Sequence, residues 1–222
     1  MGVLTTAPSA AISRSRDKLH SLQMMSKAGL PIPKTTIVTN PDEIWQAIDI
    51  AGGLPVILKL IRGTQGRGVY LATQIRTVET IIRTVHRLRE QVLVQEFIRE
   101  SRGTDIRIIV VGTRCVASMR RMAADGEFRS NLHRGGSAVP VNLDANSKQL
   151  AVRAAHAHGL GVAGVDIVLS SRGPLLLEVN SSPGLEGIET STKVDVAGEI
   201  IRYLEREERR KKHLRHQKRR QP

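Results

Sequence analysis

Two apolar runs, Gly164-Val165-Asp166-Ile167-Val168 and Leu175-Leu176-Leu177-Glu178-Val179-Asn180, flank the polar segment Ser170-Ser171-Arg172-Gly173-Pro174. Short β-branched and aliphatic runs on either side of a turn read as the two strands of a hairpin. This pairing constrains the fold more than any other feature, because each strand carries an acid where a core would want another apolar residue. A five-residue loop that closes symmetrically sets residue 169 opposite 175, and therefore Asp166 opposite Glu178. Side chains alternate along a strand, so Glu178 and Asn180 share a face and Asp166 joins them in a cluster of oxygen donors. Like charges directly opposed are destabilising. A hard divalent cation removes the conflict, and magnesium favours carboxylate and carbonyl oxygens. The alternative is a hairpin whose acids sit at a solvated end, with Ser181-Ser182-Pro183-Gly184 a plain turn.

A second polar intrusion is Lys59 in Val56-Ile57-Leu58-Lys59-Leu60-Ile61. A charge among branched apolar residues is costly unless it meets an anion, although an edge strand with a snorkelling lysine would also fit. Directly after it, Gly63-Thr64-Gln65-Gly66-Arg67-Gly68 can bring bare backbone amides against phosphate oxygens, or simply turn a hairpin. It is neither a Walker A sequence nor the dinucleotide GxGxxG. The loop "ADGEFRSNLHRGG" gathers Arg129, Asn131, His133 and Arg134. The planar fork of arginine suits phosphate or carboxylate, and a solvated basic loop is the plainer reading. Lysine, glycine loop, arginine loop and acid hairpin together describe a site for a nucleoside triphosphate with magnesium.

Around these motifs, the apolar spacing of Leu19, Leu22, Met25 and Ala28 predicts one helix over 15–28, stopped by Gly29-Leu30-Pro31. Asn40-Pro41-Asp42-Glu43 opens a short helix that ends at Gly52-Gly53. Strands are expected at 55–61, 69–72, 93–98, 106–111 and 115–122, the last two joined by a tight Gly112-Thr113 turn. A basic amphipathic helix is expected at 77–90, a polar loop at 123–137, a helix at 146–158, and a closing helix from near Val194 into the C-terminal end. Hairpins with helices between them predict an α+β fold with mainly antiparallel sheets. With 222 residues, 40% hydrophobic but only 2% aromatic, the chain can bury a sizeable core, built of Ile, Val, Leu and Ala.

In chain order, "SRDKL" (15–19), "VILKLIRGTQGRGV" (56–69), "VQEFI" (94–98), "GTDIRIIVVG" (103–112), "FRSNLHRGG" (128–136), "GVDIV" (164–168) and "LLLEVNSSPGLEGIE" (175–189) resemble the RimK branch of the ATP-grasp superfamily. The resemblance implies two α+β subdomains with largely antiparallel sheets enclosing ATP. It makes 1–12 an extension, 13–204 the ATP-grasp domain with a smaller lid at about 34–95, and 205–222 a basic tail. It implies an ATP-dependent carboxylate-amine ligase, in which an amine attacks an acyl phosphate to give an amide and ADP. RimK-type ligases add glutamate to the C-terminus of a ribosomal protein, and close relatives join amino acids to small molecules or peptides. A non-enzymatic nucleotide- or RNA-binding remnant is the reading from another class.

By position, the resemblance assigns Lys18 and Lys59 to the ATP phosphates, beneath a loop containing Gly63, Gly66 and Gly68. It assigns Glu96 and Phe97 to adenine and Asp105 to the ribose. Arg129, Ser130 and Asn131 become nucleotide contacts, with Arg129 and Asn131 the catalytic donors to the transferring phosphoryl group. Asp166, Glu178 and Asn180 become ligands of two magnesium ions, with manganese as an alternative. Members of the branch usually begin with a further small α/β domain that helps build the acceptor side of the cleft. Here about a dozen residues precede the first helix, which fits a truncated chain, a natural short form or a partner-supplied domain.

The remaining expectations concern place and partners. The single Cys115 cannot form an internal disulfide, and the start lacks a secretory pattern, so a reducing, cytoplasmic setting is expected. No apolar run approaches the roughly 20 residues of a membrane span, and Met1-Gly2-Val3-Leu4-Thr5-Thr6 matches only the loose myristoylation pattern. The formal charge is +13, and residues 206–222 hold nine Lys/Arg against Glu207 and Glu208. The plain reading is a solvated helix with the i,i+4 pairs Glu205/Arg209, Glu207/Lys211 and Glu208/Lys212. The functional one is an electrostatic tether to ribosomal RNA or an acidic product. Expected partners are therefore ATP, glutamate or another amino acid, a ribosomal protein C-terminus and RNA, with a homo-oligomer left open.

Overall fold

The computed structural model describes residues 3–61, 68–130, 132 and 135–219, of which 214–219 are described for their backbone only. The elements run α1 (Ser9–Arg16), α2 (Lys18–Lys27), β1 (Thr35–Val38), α3 (Ile44–Ile50), β2 (Val56–Leu60), β3 (Val69–Ala72), α4 (Ile75–Arg87), β4 (Val92–Glu96), β5 (Thr104–Val111), β6 (Arg114–Met122), β7 (Ser137–Pro140), α5 (Ala145–His158), β8 (Val162–Ser170), β9 (Gly173–Asn180), α6 (Glu186–Thr192) and α7 (Val196–Arg219). Among the described residues, no helix is long and apolar enough to cross a membrane.

The single helix expected over 15–28 is instead two. Asp17 adopts an extended backbone, and its carboxylate accepts the His20 N–H at 2.9 Å. A short acid that can cap offers the backbone an alternative to continuing the preceding helix. The break turns Lys18 into the first residue of a new helix. The stretch 1–12, read as an extension, contains the start of α1, and Ala11 there is buried in the main core.

The smaller sheet has the order β1-β4-β2-β3, with antiparallel pairing throughout. Its residues alternate strictly. Val56 and Leu58 join Val38, Val92 and Val94 under α3 and α4, which contribute Ile44, Ala47, Val78 and Ile82. Ile57 and Lys59 therefore point the other way, toward the larger sheet. Burying each Leu or Ile is worth roughly 1.5–3 kcal/mol, so the helix-covered face fixes the direction of Lys59. The sequence pattern does not predict β1, because Thr-Thr-Ile-Val is short and begins two residues after a proline.

The larger sheet has the order β7-β6-β5-β8-β9, again antiparallel. One face packs on α1, α2 and α5 through Ile106, Ile108, Val110, Val165, Ile167, Leu176 and Val179. The opposite face is divided. At one end Ile109, Val111, Ala117 and Met119 lie beneath α6 and α7, which add Ile188 and Val196. At the other end β5, β6 and β8 carry Asp105, Arg107, Arg121 and Asp166, joined by ion pairs. The loop expected at 123–137 runs into β7, and α6 was not anticipated at all. α7 continues as helix through the basic segment to Arg219, with Lys212 3.8 Å from Glu208 and Arg210 3.5 Å from Glu207.

Candidate active site

The β8–β9 hairpin reaches the expected pairing by a different route. Its turn is two residues, Ser171 and Arg172, not five, and near the turn Ser170 faces Gly173 and Ile167 faces Leu176. The register then shifts between Asp166 and Ile167, so that Asp166 faces Glu178 and Gly164 faces Asn180. Leu177 is the extra residue of a β-bulge. Without it, strict alternation would put Glu178 and Asn180 on the face occupied by Leu176. With it, Leu176 and Val179 stay in the main core while Leu177 and Glu178, consecutive in sequence, both border the cavity.

Asp166 is the most tightly held group of the site. Arg107 donates from Nε to Oδ1 at 2.8 Å and from Nη2 to Oδ2 at 2.7 Å, and Arg121 Nη2 reaches Oδ2 at 2.8 Å. Arg121 also grips Asp105 with two bonds of 2.7 and 2.6 Å. Burial pushes Asp166 up, but the charges and hydrogen bonds of Arg107 and Arg121 outweigh it and hold the carboxyl well below the usual range. The row Asp105–Arg121–Asp166–Arg107 is thus a structural ion network spanning three strands. With the Arg121 side chain only 4% exposed, Arg121→Met should leave two buried carboxylates without their shared cation. That substitution should cost about 3–5 kcal/mol of folding free energy in denaturant titrations. A change below about 1 kcal/mol would mean the row is not the support described here.

Opposite this row stand Lys59 and Lys18. Burial lowers the pKa of both, that of Lys59 to about 8, and for each the strongest opposing pull is the charge of Glu178. The Lys18 ammonium donates to the Ile61 carbonyl at 3.4 Å. Among the described residues no carboxylate lies within ion-pair distance of Lys59. Glu178 in turn is pushed up by the protein around it and by Asp166. Water still reaches Glu178 through the cleft, which screens it and limits the shift.

The donor set suits a hard cation. An ionised carboxylate offers about four lone-pair positions. Three of those on Asp166 are taken by arginine N–H groups, which leaves one, whereas among the described residues nothing occupies Glu178. No group of three His, Cys, Asp or Glu side chains forms a metal site among the described residues. Two acids and the Asn180 amide would therefore leave coordination positions for phosphate and water, the habit of magnesium.

These groups border one cavity of about 570 Å³ between the two sheets. It gathers ten of the candidate residues: Lys18, Lys59, Glu96, Phe97, Asp105, Arg129, Ser130, Asp166, Glu178 and Asn180. Gly68 adopts a left-handed conformation, and a Cβ there would meet the Leu60 side chain at 2.9 Å. Gly63, Gly66 and Asn131 lie outside the described residues, as do His133 and Arg134.

Several of these side chains have partners within the protein. The Glu96 carboxylate is held by Arg172 and by the Lys34 N–H. Both Asp105 oxygens receive Arg121. Arg129 stacks 5.1 Å over Phe128 and is chelated by Glu127, Nε to Oε1 at 3.0 Å and Nη2 to Oε2 at 2.7 Å. Arg129 holds the Glu127 carboxyl down at about 2. Arg107, Arg121, Glu127 and Arg172 were not foreseen. The available signal for the first was an arginine inside Ile106-Arg107-Ile108-Ile109, parallel in kind to Lys59.

Residues 15–204 match the RimK-like ATP-grasp domain. A probable alpha-L-glutamate ligase of Legionella pneumophila (strain Corby) is 50% identical over 206 residues, 93% of this chain and 68% of that protein. A protein of the same description from Photobacterium profundum is 50% identical over 219 residues, 98% of this chain and 73% of that one. The solved structure of the ATP-grasp ligase PsnB, complexed with a phosphomimetic variant of minimal precursor, Mg and ADP, superposes with a TM-score of 0.72 at 23% identity, covering 91% of this chain and 62% of that one. The D-alanine--D-alanine ligase of Bacillus anthracis complexed with ATP gives 0.69 at 19% identity, covering 92% and 71%. The two solved structures share the fold.

Proposed function

The chain belongs to the RimK-like ATP-grasp family of ATP-dependent ligases, and from this premise we propose that it joins glutamate, through an amide, to the C-terminal carboxylate of a ribosomal protein. The observation that carries the reading is the bulged register that brings Glu178 and Asn180 beside Asp166, facing Lys59 and Lys18 across one cavity. A substrate carboxylate oxygen attacks the γ-phosphorus of ATP and ADP leaves. The amine of glutamate then attacks the acyl phosphate carbon, inorganic phosphate leaves, and the amine proton passes to solvent. The acceptor carboxylate is already ionised, so no protein base is needed for the first step.

Lys18 and Lys59 neutralise phosphate charge, and Arg129 with Asn131 donates to the transferring phosphoryl group. The backbone of Glu96 and Phe97 meets the adenine. Magnesium, as two ions or with manganese in its place, supplies Lewis-acid charge, and Glu178, Asn180 and the free lone pair of Asp166 would hold it. The basic end of α7 supplies an electrostatic hold on ribosomal RNA, in the cytoplasm where that acceptor resides.

Intact-mass analysis of ribosomal proteins after incubation with ATP, magnesium and glutamate tests the reading. The expected result is a ladder of one or more glutamyl additions on one protein. ADP release without any adduct, or adducts on free amino acids alone, would redirect the activity to a small acceptor.

A further inference from the structure

The turn between β8 and β9 carries more than a chain reversal. Arg172, 46% exposed, reaches Glu96 at the end of β4, its Nη2 lying 2.8 Å from Oε1 and 2.6 Å from Oε2. Glu96 Oε2 also accepts the Lys34 N–H at 3.0 Å, and the Glu96 N–H donates to the Lys34 carbonyl at 2.8 Å. Beside this latch, the Ser171 N–H donates to Glu100 Oε1 at 3.2 Å. The hairpin of the larger sheet therefore grips the segment that connects the two sheets at two points. The cavity next to that segment is walled by Ile57, Phe97, Ile98, Val168 and Leu177, an apolar slot suited to a flat ring.

An unheld Glu96 carboxylate at this place would add a negative charge to a slot that otherwise favours an uncharged base. Resting on the reading of the cavity as a nucleotide site, we infer that Arg172 is a positioning residue for its base end. It draws the Glu96 carboxylate out of the slot and fixes the backbone of 96–98 against which the base lies. It touches neither phosphate nor metal, which that reading places against Lys18 at the start of α2, Lys59 in β2 and Glu178 at the far end of β9.

The separation between the two ends of the cavity gives the test. Calorimetric titration of the full chain with magnesium-ATP and with magnesium-tripolyphosphate, which has no base, reads them independently. Arg172→Ala should weaken ATP about tenfold and leave tripolyphosphate within about twofold of wild type. A single nitrogen makes both bonds to Glu96, so Arg172→Lys should recover most of the loss. Glu96→Ala loses the latch but leaves no unheld carboxylate, so it should weaken ATP less than Arg172→Ala does, and the double variant should match Glu96→Ala. Unchanged ATP affinity in Arg172→Ala, or equal weakening of both ligands, would overturn the inference while leaving the nucleotide site standing. Wild-type protein that binds neither ligand would overturn the nucleotide reading itself and the inference with it.

Discussion

Glu178→Gln should lower magnesium-dependent turnover by at least about 10³-fold, the scale on which a single group that stabilises the transferring charge is felt. The glutamine keeps the shape of the side chain but neither its charge nor a second anionic oxygen. The apo fold should not suffer. The surrounding protein and Asp166 raise the pKa of Glu178 above its ordinary 4.5, so the folded state holds that proton more tightly than the unfolded chain. Below pH 4.5 the carboxyl is protonated in both states and contributes no difference. As pH rises above that value, ionising it disfavours the fold, and the glutamine variant escapes that effect. The expected pattern is a dead enzyme with an apo Tm equal to or above that of wild type at pH 7, and with the thermal stabilisation by magnesium-ATP reduced. Wild-type magnesium-dependent turnover in Glu178→Gln would return the end of β9 to a polar strand terminus without chemistry.

That pairing of acids was legible in the sequence because a charge at a period-two apolar position is conspicuous, and the same holds for Lys59. The route to it was not legible. A five-residue loop without a bulge and a two-residue turn with one place Asp166 opposite Glu178 equally well, and nothing in Leu175-Leu176-Leu177 says which leucine is the extra one. The structure decides through packing: Leu176 enters the main core and Leu177 borders the cavity. Arg107 and Arg121 stayed hidden for a different reason. Their partners lie on other strands, Asp105 and Asp166, so even the arginine visible among the apolar residues of β5 gives no local clue to what it pairs with. The break at Asp17 was masked because the apolar spacing of α2 extends plausibly backwards past it. Composition and hairpin order were enough for the antiparallel α+β character, since hairpins need only local turns. The short elements β1 and α6, which rest on tertiary contacts more than on their own pattern, were not recoverable that way.

Lys59→Met should weaken magnesium-ATP binding about 10²-fold, the scale for truncating one partner of a desolvated charge pair. The apo protein should gain stability. Burial brings the pKa of Lys59 from 10.5 to about 8, so at neutral pH the fold carries an ammonium whose desolvation costs on the order of 2–3 kcal/mol, allowing for screening through the open cleft. Methionine fills the same volume without that charge. The sign follows from linkage. The unfolded chain binds the proton more tightly between about pH 8 and 10.5, so wild-type stability rises across that window, and its deficit against Lys59→Met closes by the upper end. ATP affinity moves the opposite way. Wild-type binding should decline as pH climbs above about 8, because the free protein then loses the proton that the triphosphate requires, while the methionine variant should show a flatter profile from the same groups. Calorimetry at pH 7 and pH 9 on both proteins reads the difference directly. Two parallel profiles, with the variant no weaker at pH 7, would mean that Lys59 does not face the phosphates.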